Sequence, residues 1–184
     1  DPHLPLKVMV GILFYGCFSK VMGMCTTALV QNTSLINQIY FPRELFHISI
    51  TGYQIYRLLM SLFIVVPMMI WFQIMPSILT LLLIPAALGM TMLAIGLGMI
   101  ASILQVRIRD ISQLVAVLLR AGFFISGVFY GAEHVPPEWV DIHLMNPVAV
   151  FIEMARAAVF SDFGVLGLHH IITALSISFI TMLF

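Results

Sequence analysis

ILTLLLIPAALGMTMLAIGLGMIASIL, residues 78–104, carries no charged side chain from Ile78 to Leu104. About 20 consecutive apolar residues cross the hydrocarbon core of a bilayer, so this run is long enough to span one and too long for an ordinary buried helix. Its Gly89, Gly96 and Gly98, with Ala94 and Ser102, form a small-residue face of the kind that lets membrane helices approach closely. Comparable runs occupy about 8–30, 45–72, 111–130 and 168–184. Of the 184 residues 61% are hydrophobic and only 9% charged, with a mean hydropathy of +1.10. A soluble domain carries about 25% charge, so too few charges remain here to cover a water-facing surface. The sequence predicts an all-α fold, a polytopic transmembrane helical bundle that forms one membrane domain over residues 1–184.

The region from about 131 to 160 has a different character. It holds Pro136-Pro137, Glu138, Trp139, Asp141, Asn146-Pro147, Glu153 and Arg156, yet 148–160 keeps an apolar helical pattern. Pieces of about 8 and 14 residues are too short to span, and we expect two short external re-entrant helices. Backbone of that kind is tolerated only where protein or a water-filled cavity satisfies it. Asn146-Pro147 suits a helix start, with Asn as the cap and Pro in the first turn. Glu153 and Arg156, three apart, can meet on one helix face as a clasp or as an ordinary ion pair. Phe123, Phe124, Phe129, Tyr130 and Trp139 gather near this end, where aromatic faces can stack on sugar rings or form an interfacial belt.

Three cations fall inside the apolar runs. Lys20, Arg57 and Arg120 each lie roughly 15–20 Å deep at 1.5 Å per residue, and the runs contain no Asp or Glu. A charge at that depth costs roughly 2.5–3.5 kcal/mol or more, so it faces a cavity or a partner. Two readings stand: a cationic lining suited to an anionic substrate such as a phosphate-bearing polymer or lipid pyrophosphate, or pairing with carbonyls or with acids in segments missing from this sequence. At the polar turn 105–110, Asp110 is placed to cap the next helix, and Arg107 and Arg109 are placed to meet lipid phosphates or a partner.

Other chemistry is poorly supported. Net charge is zero, with no basic patch for nucleic acid. Cys17 and Cys25 stand about 12 Å apart along one helix, too far for a disulfide, and read as packing residues. The six histidines lack zinc-ligand spacing. Asn32-Thr33-Ser34 matches a glycosylation acceptor, on the side we expect to be cytoplasmic. No glycine-rich loop ending in Gly-Lys-Ser/Thr occurs, and Ser126 has no evident base, which argues against an intramembrane enzyme.

Several stretches resemble the permease subunits of type 2 ABC exporters for O-antigen, teichoic acid and related polymers. Gly11-Ile12-Leu13-Phe14-Tyr15 with Phe18 is similar to that family's second span. Leu29-Val30-Gln31-Asn32, Leu35-Ile36 and Phe41-Pro42-Arg43-Glu44-Leu45 are similar to its first cytoplasmic loop, and Arg107-Ile108-Arg109-Asp110 to its second. Phe123-Phe124, Ser126, Val128 and Tyr130 are similar to the end of a span. Pro136, Trp139, Asn146-Pro147, Ile152-Glu153 and Arg156 are similar to the external re-entrant region. Arg57 stands where the family often has an acid, Arg120 where it often has Gln, and Gly127 where it often has Pro. The order agrees over about 150 residues. The family's first span and basic carboxyl-terminal tail have no counterpart, and Asp1 and Phe184 read as cut ends, so a fragment of a longer permease is expected.

The resemblance implies a homodimer in the bacterial inner (plasma) membrane that passes a lipid-linked polysaccharide or polyol-phosphate polymer. ATP and Mg would be bound by a separate ABC ATPase subunit, leaving this chain without a cofactor. It implies a coupling knob over Leu35–Leu45, against the plainer reading of an interfacial loop with a snorkelling Arg43. It also places the Arg43 and Arg107/Arg109 turns in the cytoplasm, because the positive-inside count of three against two for Lys7 and Arg156 is a thin margin. The alternative is the same fold exporting a drug or other small hydrophobic molecule.

Overall fold

The computed structural model describes residues 3–33, 44–74, 77–132, 135–161 and 166–183, with the side chains of Glu44 and Pro137 outside that set. Among the described residues every regular element is a helix. In chain order these are α1 (Leu4–Gln31), α2 (Glu44–Trp71), a 3-10 turn (Ile78–Leu82) running into α3 (Leu83–Arg107), α4 (Ile111–Ile125), α5 (Pro137–Leu144), α6 (Pro147–Phe160) and α7 (Leu168–Leu183). Leu4–Gln31, Leu45–Trp71 and Ile78–Arg107 are each long and apolar enough to cross a membrane. α5 and α6 bend by 99° where they meet, so the pair is a broken span or a re-entrant hairpin. Their lengths of 8 and 14 residues agree with the sequence reading.

Two boundaries differ from expectation. α1 begins at Leu4, before Val8, because Pro5 sits comfortably in a first turn, where its missing N–H is not needed. α4 stops at Ile125, before Tyr130. Gly127 turns the chain there with φ +67°, a left-handed backbone that glycine adopts without penalty. The carbonyls beyond it point at Arg156 in place of closing further helical turns.

α3 is the centre of the bundle and packs against α1, α2, α4, α6 and α7. Its small residues explain why. Gly89, Ala94, Gly96, Gly98 and Ser102 are all buried. A Cβ added at Gly98 would stand 2.6 Å from the Cys25 Cβ of α1, and one at Gly89 2.6 Å from the Phe151 ring of α6. At Gly96 the neighbour is the backbone of α7, with the Thr181 carbonyl carbon 2.5 Å from the added atom. Cys17 and Cys25 are buried free thiols, as packing residues should be.

The start of α1, the end of α2 and the end of α6 meet at one end of the bundle. There the His3 ring lies 5.8 Å from that of Phe72 and 6.1 Å from that of Phe160. The hairpin α5–α6 enters from this end, and nearly all of α6 is buried between α1, α3 and α7. Its backbone is therefore satisfied inside protein, as a broken span and a re-entrant hairpin both require.

Gly96→Ala forces its methyl group into a backbone that cannot swing aside. We expect a loss of about 1–3 kcal/mol from overpacking, read as a lowered thermal midpoint in detergent. Gly52→Ala, with nothing within 4 Å of the added carbon, should leave the midpoint unchanged or slightly raised.

Candidate functional site

Arg156 is only 5% exposed, and its guanidinium carries five N–H groups. Each finds an acceptor. Nε donates to the Lys7 carbonyl at 3.2 Å, and Nη1 to the Tyr130 carbonyl at 3.0 Å and to Glu153 Oε1 at 2.7 Å. Nη2 donates to the carbonyls of Gly127 at 3.1 Å and Val128 at 2.7 Å. Glu153 Oε1 also accepts from the Ala132 backbone N–H at 3.1 Å. The clasp thus ties α1, the turn after α4 and α6 to one another. Gly11 makes room for it, since a Cβ there would stand 3.0 Å from Arg156 Nη2. Asn146 caps α6 as expected, its Oδ1 accepting from Val148 N–H at 3.1 Å, while its Nδ2 donates to Ser126 Oγ at 3.2 Å.

At the other end of the bundle Arg107, Arg109 and Asp110 are exposed. Asp110 occupies the cap position of α4, but its carboxylate makes no cap bond. Its own backbone is already helical, at φ −83° and ψ −6°, whereas a capping side chain needs an extended backbone to reach the next N–H groups. Gln105 does the work instead: its Oε1 accepts from Ser112 N–H at 2.6 Å and its Nε2 donates to the Arg109 carbonyl at 2.9 Å. Asn32 closes α1, its Nδ2 donating to the Ala28 carbonyl at 2.8 Å. Leu35, Ile36, Phe41, Pro42, Arg43 and the side chain of Glu44 lie outside the described residues.

Lys20, Arg57 and Arg120 emerge on one face, with α1 at its middle. Lys20 and Arg120 line a groove of about 480 Å³ between α1 and α4, with Ser19 and Phe124. Lys20 and Arg57 line a second groove of about 390 Å³ between α1 and α2, with Gln54 and Ser61. Ile12, Gly16 and Lys20, each four residues apart on α1, border both. The first groove also adjoins, at Phe124, a third of about 480 Å³ lined by Tyr130, Trp139, His143 and Asn146. All three cations are exposed, and none has a hydrogen-bonding or acidic partner among the described residues.

The aromatic set divides. Phe123 is a half-buried hub, with ring centroids 5.2 Å from Tyr15 and 5.1 Å from Phe129 in edge-to-face contact. Phe124 and Trp139 are 64% and 58% exposed, the Phe124 ring also lying 5.6 Å from that of Phe123 and 6.2 Å from that of Phe129. The sequence reading missed Ser19, Gln54 and Ser61. Their signal was available: Gln54, Arg57 and Ser61 follow helical spacing on one face of α2. It also missed Tyr15, whose hydroxyl donates to the Leu119 carbonyl and draws α1 against α4.

A model of the ABC-2 type transporter family matches residues 5–160, most of the chain. The chain belongs to that family. No curated protein matches it. The ABC-2 permease is a multi-pass membrane protein and a transport component, and its family implies an ABC ATPase as the source of energy. Among its described residues no three His, Cys, Asp or Glu side chains are grouped to hold a metal ion.

Arg156→Ala should leave Glu153 and three carbonyls at the α4–α5 turn without their donor. A loss of about 3–5 kcal/mol is expected for breaking such a buried pair, measured by thermal unfolding of the permease in detergent. Exposed Arg109→Ala should change stability by no more than about 0.5 kcal/mol.

Proposed function

We propose that the chain is the permease subunit of an ABC exporter that moves a lipid-linked polysaccharide or polyol-phosphate polymer across a bacterial plasma membrane. Two copies would face each other as a homodimer and enclose the path. ATP hydrolysis in the partner subunits would be transmitted through the 35–45 loop and the Arg107–Asp110 turn, both on the cytoplasmic side. The observation that carries this reading is the continuous run of grooves. It starts at cations in mid-span and reaches exposed aromatic rings beside a clasped re-entrant hairpin. An extended chain of sugars and charged groups needs such a track, whereas a compact solute needs one enclosed pocket. Export of a small hydrophobic molecule is favoured by one feature, the apolar wall of the α1–α4 groove formed by Ile12, Leu119 and Phe123.

The deciding experiment deletes the coding frame in its host and restores it. Loss of surface polymer, with the polymer retained inside and recovered on complementation, supports this reading. Unchanged surface polymer with new drug sensitivity supports the second. Within the restored strain, Phe124→Ala with Trp139→Ala should lower polymer export severalfold while the permease still co-purifies with its ATPase.

Reversing the exposed turn by Arg107→Glu with Arg109→Glu tests coupling separately. Folding stability should stay within about 0.5 kcal/mol, and stimulation of the ATPase by the permease should fall. Undiminished stimulation would remove that turn from the coupling surface.

A further inference from the structure

We infer that Lys20, Arg57 and Arg120 form an intramembrane site for a phosphate or pyrophosphate group carried by the cargo. The inference rests on the reading that this face is the transport path. Arg156 shows how the chain treats an arginine that serves its own fold: five acceptors surround it. The three cations of the groove face have none among the described residues, although they too stand in apolar helices. They are not scattered. One on each of α1, α2 and α4 opens onto grooves that share Lys20.

Nothing acidic occurs in α1, in α2 beyond Glu44, in α3 or in α4, so the positive charge of this face has no acid paired with it among the described residues. In an apolar surrounding that charge attracts an anion far more strongly than it would in water. Guanidinium forks match the oxygens of a phosphate, which can accept two parallel N–H bonds from one arginine while a lysine supplies a point charge. Ser19, Gln54 and Ser61 line the same grooves and add polar side chains beside the cations.

Depth selects the source of the phosphate. Lys20 lies about 24 Å from the Leu4 end of α1 and about 16 Å from the Gln31 end, and Arg57 lies about 20 Å from either end of α2. Bulk lipid headgroups remain at the surfaces of a hydrocarbon core about 30 Å thick. Arg120 lies about 14 Å from the Ile111 end of α4 and about 8 Å from the Ile125 end. A phosphate that reaches Lys20 and Arg57 therefore travels with something passing through.

The test uses the permease–ATPase complex in nanodiscs of neutral phosphatidylcholine, with farnesyl pyrophosphate and farnesol as probes. The complex should bind farnesyl pyrophosphate at least tenfold more tightly than farnesol. Lys20→Gln with Arg57→Gln and Arg120→Gln should abolish that preference, and the charge-conserving Lys20→Arg, Arg57→Lys, Arg120→Lys variant should keep it. A preference that survives in the neutral variant overturns the inference. So does competition by phosphatidylglycerol as effective as that of the unlabelled probe, which would make the site one for bulk lipid. Should the triple variant fail to fold, Lys20→Gln with Arg120→Gln, which neutralises the α1–α4 groove alone, is read in the same way. Binding is measured without reference to polymer export. A neutral variant that retains the preference in a strain whose deletion loses surface polymer therefore refutes only the anion site. The converse pair of results refutes only the polymer reading.

Discussion

A guanidinium inside an apolar bundle must keep its charge and must therefore find acceptors for five N–H groups, because an unpaired buried charge is far more costly than any single contact is favourable. Arg156 meets that demand, and much of the end of the bundle that holds the start of α1 follows from it. Three of its acceptors are main-chain carbonyls that α4 would have used had it continued past Ile125. Gly127, in its left-handed conformation, releases them. A fourth comes from the first turn of α1, which can approach only because position 11 has no side chain. The fifth is Glu153, one turn earlier on α6, which also holds the Ala132 N–H. The bent pair α5–α6 is thus fixed to two other segments by charge-assisted bonds, while α6 fills the space between α1, α3 and α7.

That arrangement makes α1 a partition. Val10, Phe14, Cys17, Val21 and Cys25 form its buried face, while Ile12, Gly16 and Lys20 border the grooves behind it. One side of the helix is committed to packing with α3 and the other borders the grooves. The division of labour among the arginines follows the same line. Arg156 is consumed by its own fold, whereas Arg57 and Arg120 have no such acceptors among the described residues.

The sequence and the structure agree where a physical rule acts locally. The absence of charge over 78–104 is enough to demand a spanning helix, and the two glycines seven residues apart, with Gly98 beside the second, are enough to expect close packing on α3. Asn146-Pro147 shows a helix start in two residues. The agreement fails where a local rule has a competitor. Asp110 is the right residue at the right position for a cap, yet Gln105, on the preceding helix, satisfies the same N–H, and the backbone of Asp110 never adopts the conformation from which it could cap.

By itself the sequence determined that this chain is a helical membrane domain, where its main spans lie, that two short helices break the pattern near 131–160, and that three cations fall inside the apolar runs. Those features depend on composition and on distances measured along one helix. Only the tertiary structure decided which faces are buried and which are open, since helices that are apolar nearly all round carry no periodic signal to say so. It alone showed that Arg156 reaches α1 and the turn after α4 as well as Glu153, and that Lys20, Arg57 and Arg120 share one face. Those are relations between segments brought together from distant points in the chain, and spacing within a helix does not encode them.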